Sequence, residues 1–348
     1  MQRPKSIQKI VQFVFLAVCS VWSLGCGSVS YLIQAGQGQW SLLSRARPIV
    51  EVLQDVRIPR RTRDLLGEIQ LIKRFAEAHG IRPTGNYTHY VNLDRPAAVW
   101  VVSASPPLRF ESKQWSFPGF GSFPYLGWFH LDRARAFQKE LQDEGWDVDL
   151  RGAQAYSTLG WFKDPILSSM ISEGPEALGA LVNVVIHESV HATLYISTQS
   201  YFNESLASFV ADRLTPVYLD QTRGLNSPEK QAYLTAQKKN QADFKRLSVA
   251  YHELEVLYSS SQPDQKKRDE KALILGRLKA DLKRSKDLNN ATLMQYKTYN
   301  TGESDFEQVF QASHENWKEF LLTLKKLNEA SFDHPQQENF GPVLQRLR

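Results

Sequence analysis

Five consecutive residues, His187-Glu188-Ser189-Val190-His191, form an HExxH pattern. On a helix, residues four apart share a face, so the two imidazoles can reach one ion. Glu188, beside the first histidine, can project toward a water held on that ion and act as its general base. The chemistry such an arrangement implies is peptide hydrolysis assisted by zinc. Composition alone would produce the pattern about 0.01 times in a chain of this length with eight histidines. Three ionisable groups within an apolar stretch are also costly to bury unless they are coordinated or paired. A site that leaves one position open for water needs a third protein ligand. Asn203-Glu204 lies downstream, with Asn203 expected as a helix N-cap and Glu204 in the first turn. A second helix antiparallel to the first would deliver Glu204 to the ion; otherwise Glu204 simply favours the helix dipole.

The elements that must position these groups can be read from periodicity. Pro175 follows Gly174 at a first-turn position, and Leu178, Leu181, Val182, Val185 and Ile186 supply one apolar face of a motif helix. Leu65, Ile69, Ile72 and Ala76 predict a helix over Thr62 to Ala78, with Gly80 beyond its end. Ala98 to Ser103 and Trp146 to Leu150 read as strands, Leu131 to Leu141 as a helix between them, and Tyr156 to Phe162 as a further strand or extended segment. Phe117 to Phe129, rich in Gly, Pro and aromatics, fits neither period. A mixed sheet with helices is therefore expected in the first half. From 227 to 288 the chain is charged and poor in glycine. Phe244, Leu247, Tyr251, Leu254 and Tyr258, then Leu275, Leu278 and Leu282, predict an antiparallel helical hairpin broken at Ser259 to Pro263.

The N-terminus reads as an address. Arg3, Lys5 and Lys9 precede an uncharged, largely apolar run of sixteen residues from Ile10 to Gly25, the n-region and h-region of an export signal. A membrane span takes about 20 residues, so an uncleaved anchor is the alternative. Gly25 directly before Cys26 is similar to the lipobox of bacterial lipoproteins, although Ser23 stands where leucine is usual and Leu24 comes one place late. Cys19, with Leu16 three positions before it, is a rival that follows the bulky Val18. The similarity implies lipidation of Cys26, and Gly27 after it implies the periplasmic face of the outer membrane. Cys26 would then be the one cysteine of the mature chain, which excludes an intramolecular disulfide. Setting Arg3, Lys5 and Lys9 aside leaves 39 basic against 37 acidic residues in the 348-residue chain. That excess of two is too small for attraction to nucleic acid through bulk charge.

An HExxH followed by an Asn-Glu helix is similar to the gluzincin peptidases. More closely, the lipobox-like start, LLSRARPI (Leu42 to Ile49), AYSTLGWF (Ala155 to Phe162), HESVHATLY (His187 to Tyr195) and FNESLASFVAD (Phe202 to Asp212) together resemble the bacterial aminopeptidase lipoprotein family over most of the mature chain. The resemblance implies an α+β, zincin-like domain with a mixed sheet, active-site helices and an inserted helical hairpin. It also implies an aminopeptidase that binds Zn2+ and acts on peptides, attached to the membrane through an N-terminal lipid. Gluzincins commonly steady the oxyanion with a tyrosine or histidine. Tyr299, near the turn at Gly302, is the candidate; Tyr296 is close behind, and packing is the alternative role for either. In zincin-like folds an edge strand above the metal pairs with substrate. Tyr156 to Phe162 would serve, with Ser157, Thr158 and Gly160 facing the peptide; an internal strand is the alternative. Ser208 stands four residues after Glu204 where thermolysin-like chains often carry Asp, so Asp212 is the substitute that would steady a zinc-bound histidine.

The organisation expected is thus a lipoprotein signal peptide at 1–25, a linker or extension at 26–57, and a catalytic domain at 58–348 that includes the hairpin at 227–288. The metal ligands expected are His187, His191 and Glu204, with Glu188 as catalytic base. A rival of another class is a periplasmic binding or scaffold lipoprotein that keeps the zincin shape without turnover.

Overall fold

The computed structural model describes residues 26–117, 121–155, 163–297 and 302–347. It is an α+β structure in which long helices carry small sheets. Residues 26–57, expected as a linker or extension, make helix α1 (Cys26–Ser44), strand β1 (Arg47–Pro48) and helix α2 (Ile49–Val52). Leu42, Ile49 and Val52 are buried in the main core. The reason is tertiary. Gln34 bridges the Gly127 carbonyl at 3.1 Å and the Phe129 amide at 3.2 Å, while the Tyr31 hydroxyl accepts from the Gly127 amide at 3.1 Å. Nothing local in a Gly-Gln-Gly-Gln stretch announces those partners.

Helix α3 (Arg60–Ala78) buries Leu65, Leu66, Ile69, Ile72, Phe75 and Ala76, a face set by its 3.6-residue period. It ends at Gly80, whose φ of 90° suits a residue without Cβ. Strands β2 (His89–Val91), β3 (Val99–Ser105), β4 (Trp115–Phe117), β5 (Gly121–Phe123) and β6 (Leu126–Trp128) follow, then helix α4 (Leu131–Asp143), β7 (Asp147–Ala153) and β8 (Ile166–Leu167). The single mixed sheet expected from the sequence is divided among three small ones. One has the order β1-β2-β8, with β2 antiparallel to β1 and parallel to β8. The second, β6-β3-β7, is antiparallel and pairs Val99 with Ala153 through to Ser105 with Asp147. The third is the β4-β5 pair, which runs into the aromatic segment that fitted neither period, with β4 ending at its first residue, Phe117, and β5 inside it.

Helices α5 (Ala177–Thr193) and α6 (Ser200–Arg223) are the heart of the core. Leu181, Val182, Val185, Ile186 and Val190 of α5 are buried against Phe202, Leu206, Phe209, Val210 and Leu214 of α6 in one continuous cluster with α3. A charged stretch continues as α7 (Pro228–Ser259) and α8 (Asp264–Asp281), where Leu247, Leu254, Leu257, Leu275 and Leu278 form a second cluster. Polar anchors tie this cluster to the sheet: Lys271 pairs with Asp147, and Lys286 donates to Asp149 at 2.8 Å. Helices α9 (Asn290–Lys297), α10 (Glu303–Ala312), α11 (Trp317–Leu324) and α12 (Gly341–Gln345) close the chain. Among the described residues no helix is long and apolar enough to cross a membrane.

Candidate metal centre

Helix α5 starts at Ala177, two residues beyond Pro175, and turns its apolar face to the core. His187 and His191 therefore emerge together on another side, their ring centroids 4.9 Å apart and their planes at 85°. Helix α6 returns alongside and brings in Glu204. The Nε2 atoms of the two histidines lie 3.2 Å apart. Glu204 Oε2 is 3.2 Å from His187 Nε2, and Glu204 Oε1 is 3.5 Å from His191 Nε2. Ligands about 2.1 Å from a tetrahedral zinc ion would stand about 3.4 Å from one another. The two imidazole nitrogens, 3.2 Å apart, face the Glu204 carboxylate, with one of its oxygens 3.2 Å from His187 and the other 3.5 Å from His191, spacings close to that between ligands of one ion. This group can hold a metal ion.

Glu204 arrives on a second helix, as expected, but from a different place in that helix. Helix α6 begins at Ser200 with Gln199 as N-cap, so Glu204 is its fifth residue, beyond the first turn that favours carboxylates through the dipole. Asn203 is not the N-cap. Its side chain, 1% exposed, accepts from the Ile196 amide at 2.9 Å and donates to the Ile196 carbonyl at 2.8 Å. It thus pairs like a strand neighbour with the loop that joins the two ligand-bearing helices. The C-terminal segment braces the same helix start, with the Gln336 amide donating to the Thr198 carbonyl at 2.8 Å and the Gln199 side chain to the His334 carbonyl at 2.9 Å.

The electrostatics follow from burying four ionisable groups together. Burial would raise the Glu204 pKa, but hydrogen bonds and charge from His187 and His191 outweigh it and hold the carboxyl well below its usual range. Burial would lower that of His187, yet the bond to Glu204 and the charges of Glu204, Glu188 and Asp212 leave it raised. Glu188 is raised by burial, opposed by the histidines and reinforced by Glu204 and Asp164. Asp212, expected to steady a histidine, acts on His187 through its charge. Its carboxylate accepts from Asn183 at 2.9 Å and from the Tyr233 hydroxyl at 3.5 Å. His191 Nδ1 is buried with no hydrogen-bond partner among the described residues.

Three further residues frame the site, and the sequence reading assigned none of them a role there. Tyr87 and Asp164 both bear on Glu188. Tyr87 has a φ of 63°, unusual for a bulky residue, and its amide donates to the Asp164 carbonyl at 2.7 Å. Lys73 secures that loop by donating to the Thr84 and Asn86 carbonyls at 2.9 and 2.7 Å. Tyr195 stands edge-on to His191, with ring centroids 6.3 Å apart. Its position four residues after His191 was a usable signal; Tyr87 and Asp164 are too distant in the chain to have offered one. Of the other candidates, Ser157, Thr158, Gly160 and Tyr299 lie outside the described residues. Tyr296 falls within helix α9, and Cys26 opens helix α1.

The family described as "Putative aminopeptidase" matches residues 30–338 of this chain. No curated protein and no solved structure matches it.

Proposed function

The chain belongs to this aminopeptidase family, and from that premise we propose that it is a zinc-dependent peptidase of the bacterial cell envelope that removes residues from peptide amino termini. The observation that carries the zinc reading is the convergence of His187, His191 and the Glu204 carboxylate, at N–N and N–O distances of 3.2, 3.2 and 3.5 Å, with Glu188 beside them. Two imidazoles and one carboxylate suit zinc, and with three protein ligands a fourth position stays open. A zinc ion there would supply a Lewis acid that brings the pKa of a water near ~7 and polarises the substrate carbonyl. Glu188 takes the proton of the attacking water as its oxygen bonds to the carbonyl carbon. It then passes that proton to the amide nitrogen as the C–N bond breaks. Asp212 adds its negative charge near His187 while its carboxylate bonds Asn183 and Tyr233. The ligand-bearing helix pair, packed in one core with a small sheet, supports a zincin-like reading of the fold.

The location in the envelope rests on the N-terminal signal and Cys26. Tyr31 and Gln34 already bond to β6 and its end, so a lipid on Cys26 would hold the body about 8 Å of helix from the bilayer surface. Zinc-loaded Glu188→Gln should lose hydrolysis of a mixed peptide library while binding the same amount of zinc, because a general base is not a ligand. Cleavage by neither would favour the scaffold over the enzyme, and equal cleavage by both would remove Glu188 from the role of base. Comparing free with acetylated amino termini in the same library tests the end-trimming: only the free peptides should shorten.

A further inference from the structure

We propose that Tyr195 is a substrate-contacting residue of this centre, its phenol donating a hydrogen bond to the carbonyl oxygen of the peptide bond being cut. The proposal rests on the peptidase reading above and gives its oxyanion a partner. Helix α5 stops at Thr193, and Leu194 is extended, with φ −145° and ψ 118°. Successive side chains of an extended chain point to opposite sides. Leu194 and Ile196 turn into the core, 9% and 3% exposed, and Tyr195 between them is left 44% exposed. Its ring therefore projects outward, yet it is not free on the surface, because its edge rests on His191 with interplanar angle 79°. That histidine is a proposed ligand, so the tyrosine stands at the mouth of the centre.

The backbone next to Tyr195 is held before any substrate arrives. The Asn203 side chain holds Ile196, the next residue, by both its amide and its carbonyl. A donor fixed in advance is worth more to a developing charge than one that must reorganise. As water oxygen bonds to the carbonyl carbon, the C=O π pair moves onto oxygen, and Tyr195 shares its O–H with that oxygen. The phenol keeps its proton throughout; the proton of the water goes to Glu188 and then to the leaving amine.

The test compares Tyr195→Phe and Tyr195→Ala with wild type in the zinc-loaded full chain. One readout is cleavage of the mixed peptides; the other is binding of a phosphinic dipeptide, whose tetrahedral P–O group imitates the oxyanion. Removing one such donor should lower kcat roughly 100-fold in Tyr195→Phe, with KM and zinc content unchanged. Phosphinate affinity should fall by a similar factor. Tyr195→Phe within threefold of wild type in both readouts overturns the proposal, including the case where Tyr195→Ala alone loses KM and only the ring matters. A wild type that neither cleaves nor binds removes the peptidase reading and this one together. An active wild type with an unaffected Tyr195→Phe removes this one alone.

Discussion

Replacing Asn203 by alanine isolates the contribution of the loop clamp to the metal centre. The side chain satisfies two backbone groups of Ile196, at 2.9 and 2.8 Å, in a region where Asn203 and Ile196 are 1% and 3% exposed. Alanine leaves an amide and a carbonyl buried without partners, each costing about 1–3 kcal/mol. A stability loss of about 2–6 kcal/mol is expected in metal-free protein, read by urea denaturation. Because Glu204 follows Asn203 directly and the clamp sets the start of its helix, zinc affinity should also weaken about 10–100-fold, as for other groups that orient ligands. A chelator competition on the folded fraction measures this separately from stability. Asn203→Asp should do no better than alanine, since it keeps the acceptor for the Ile196 amide but turns a second acceptor toward the Ile196 carbonyl. A zinc affinity unchanged in Asn203→Ala would refute the positioning argument whatever the stability loss. A stability loss under about 0.5 kcal/mol would refute the account of buried pairing.

The metal-free pair of His187 and Glu204 predicts a pH window. The raised pKa of His187 contributes stability in full below its ordinary 6.5, lost as pH rises through the folded value. The lowered pKa of Glu204 contributes above its ordinary 4.5, lost as pH falls through the folded value. Metal-free protein should thus gain most from the pair between 4.5 and 6.5, and zinc binding at pH 6 should release a proton from His187. Titration calorimetry in buffers of different ionisation enthalpy would show this; identical heats in all buffers would count against it. Cys26→Ser should block processing or release the mature protein from membranes, scored by fractionation of cells. Membrane association unchanged by the substitution would point to an uncleaved helix instead.

The local part of this protein was legible in its sequence. A spacing of four residues on a helix depends only on helical geometry, so His187, Glu188 and His191 could be placed relative to one another without knowing what surrounds them. The apolar faces of α3 and α5 and the leucine seam of α7 and α8 are likewise statements about period. What spans longer distances was decided by tertiary structure. Strands of two or three residues, such as β1, β2 and β8, are too short to show an alternation, so the division into three sheets could not be foreseen. The helix at Cys26–Ser44 stays in place through Gln34 and Tyr31 bonding to residues over 90 positions away. Asn203 had the composition of a cap and the geometry of a clamp, because its partner Ile196 was folded back beneath it. Tyr87 and Asp164 reach Glu188 from segments about 100 and 24 positions earlier in the chain. Side-chain chemistry determined what the centre can do; burial and long-range hydrogen bonding decided which groups meet there, since neither is encoded in any short window of residues.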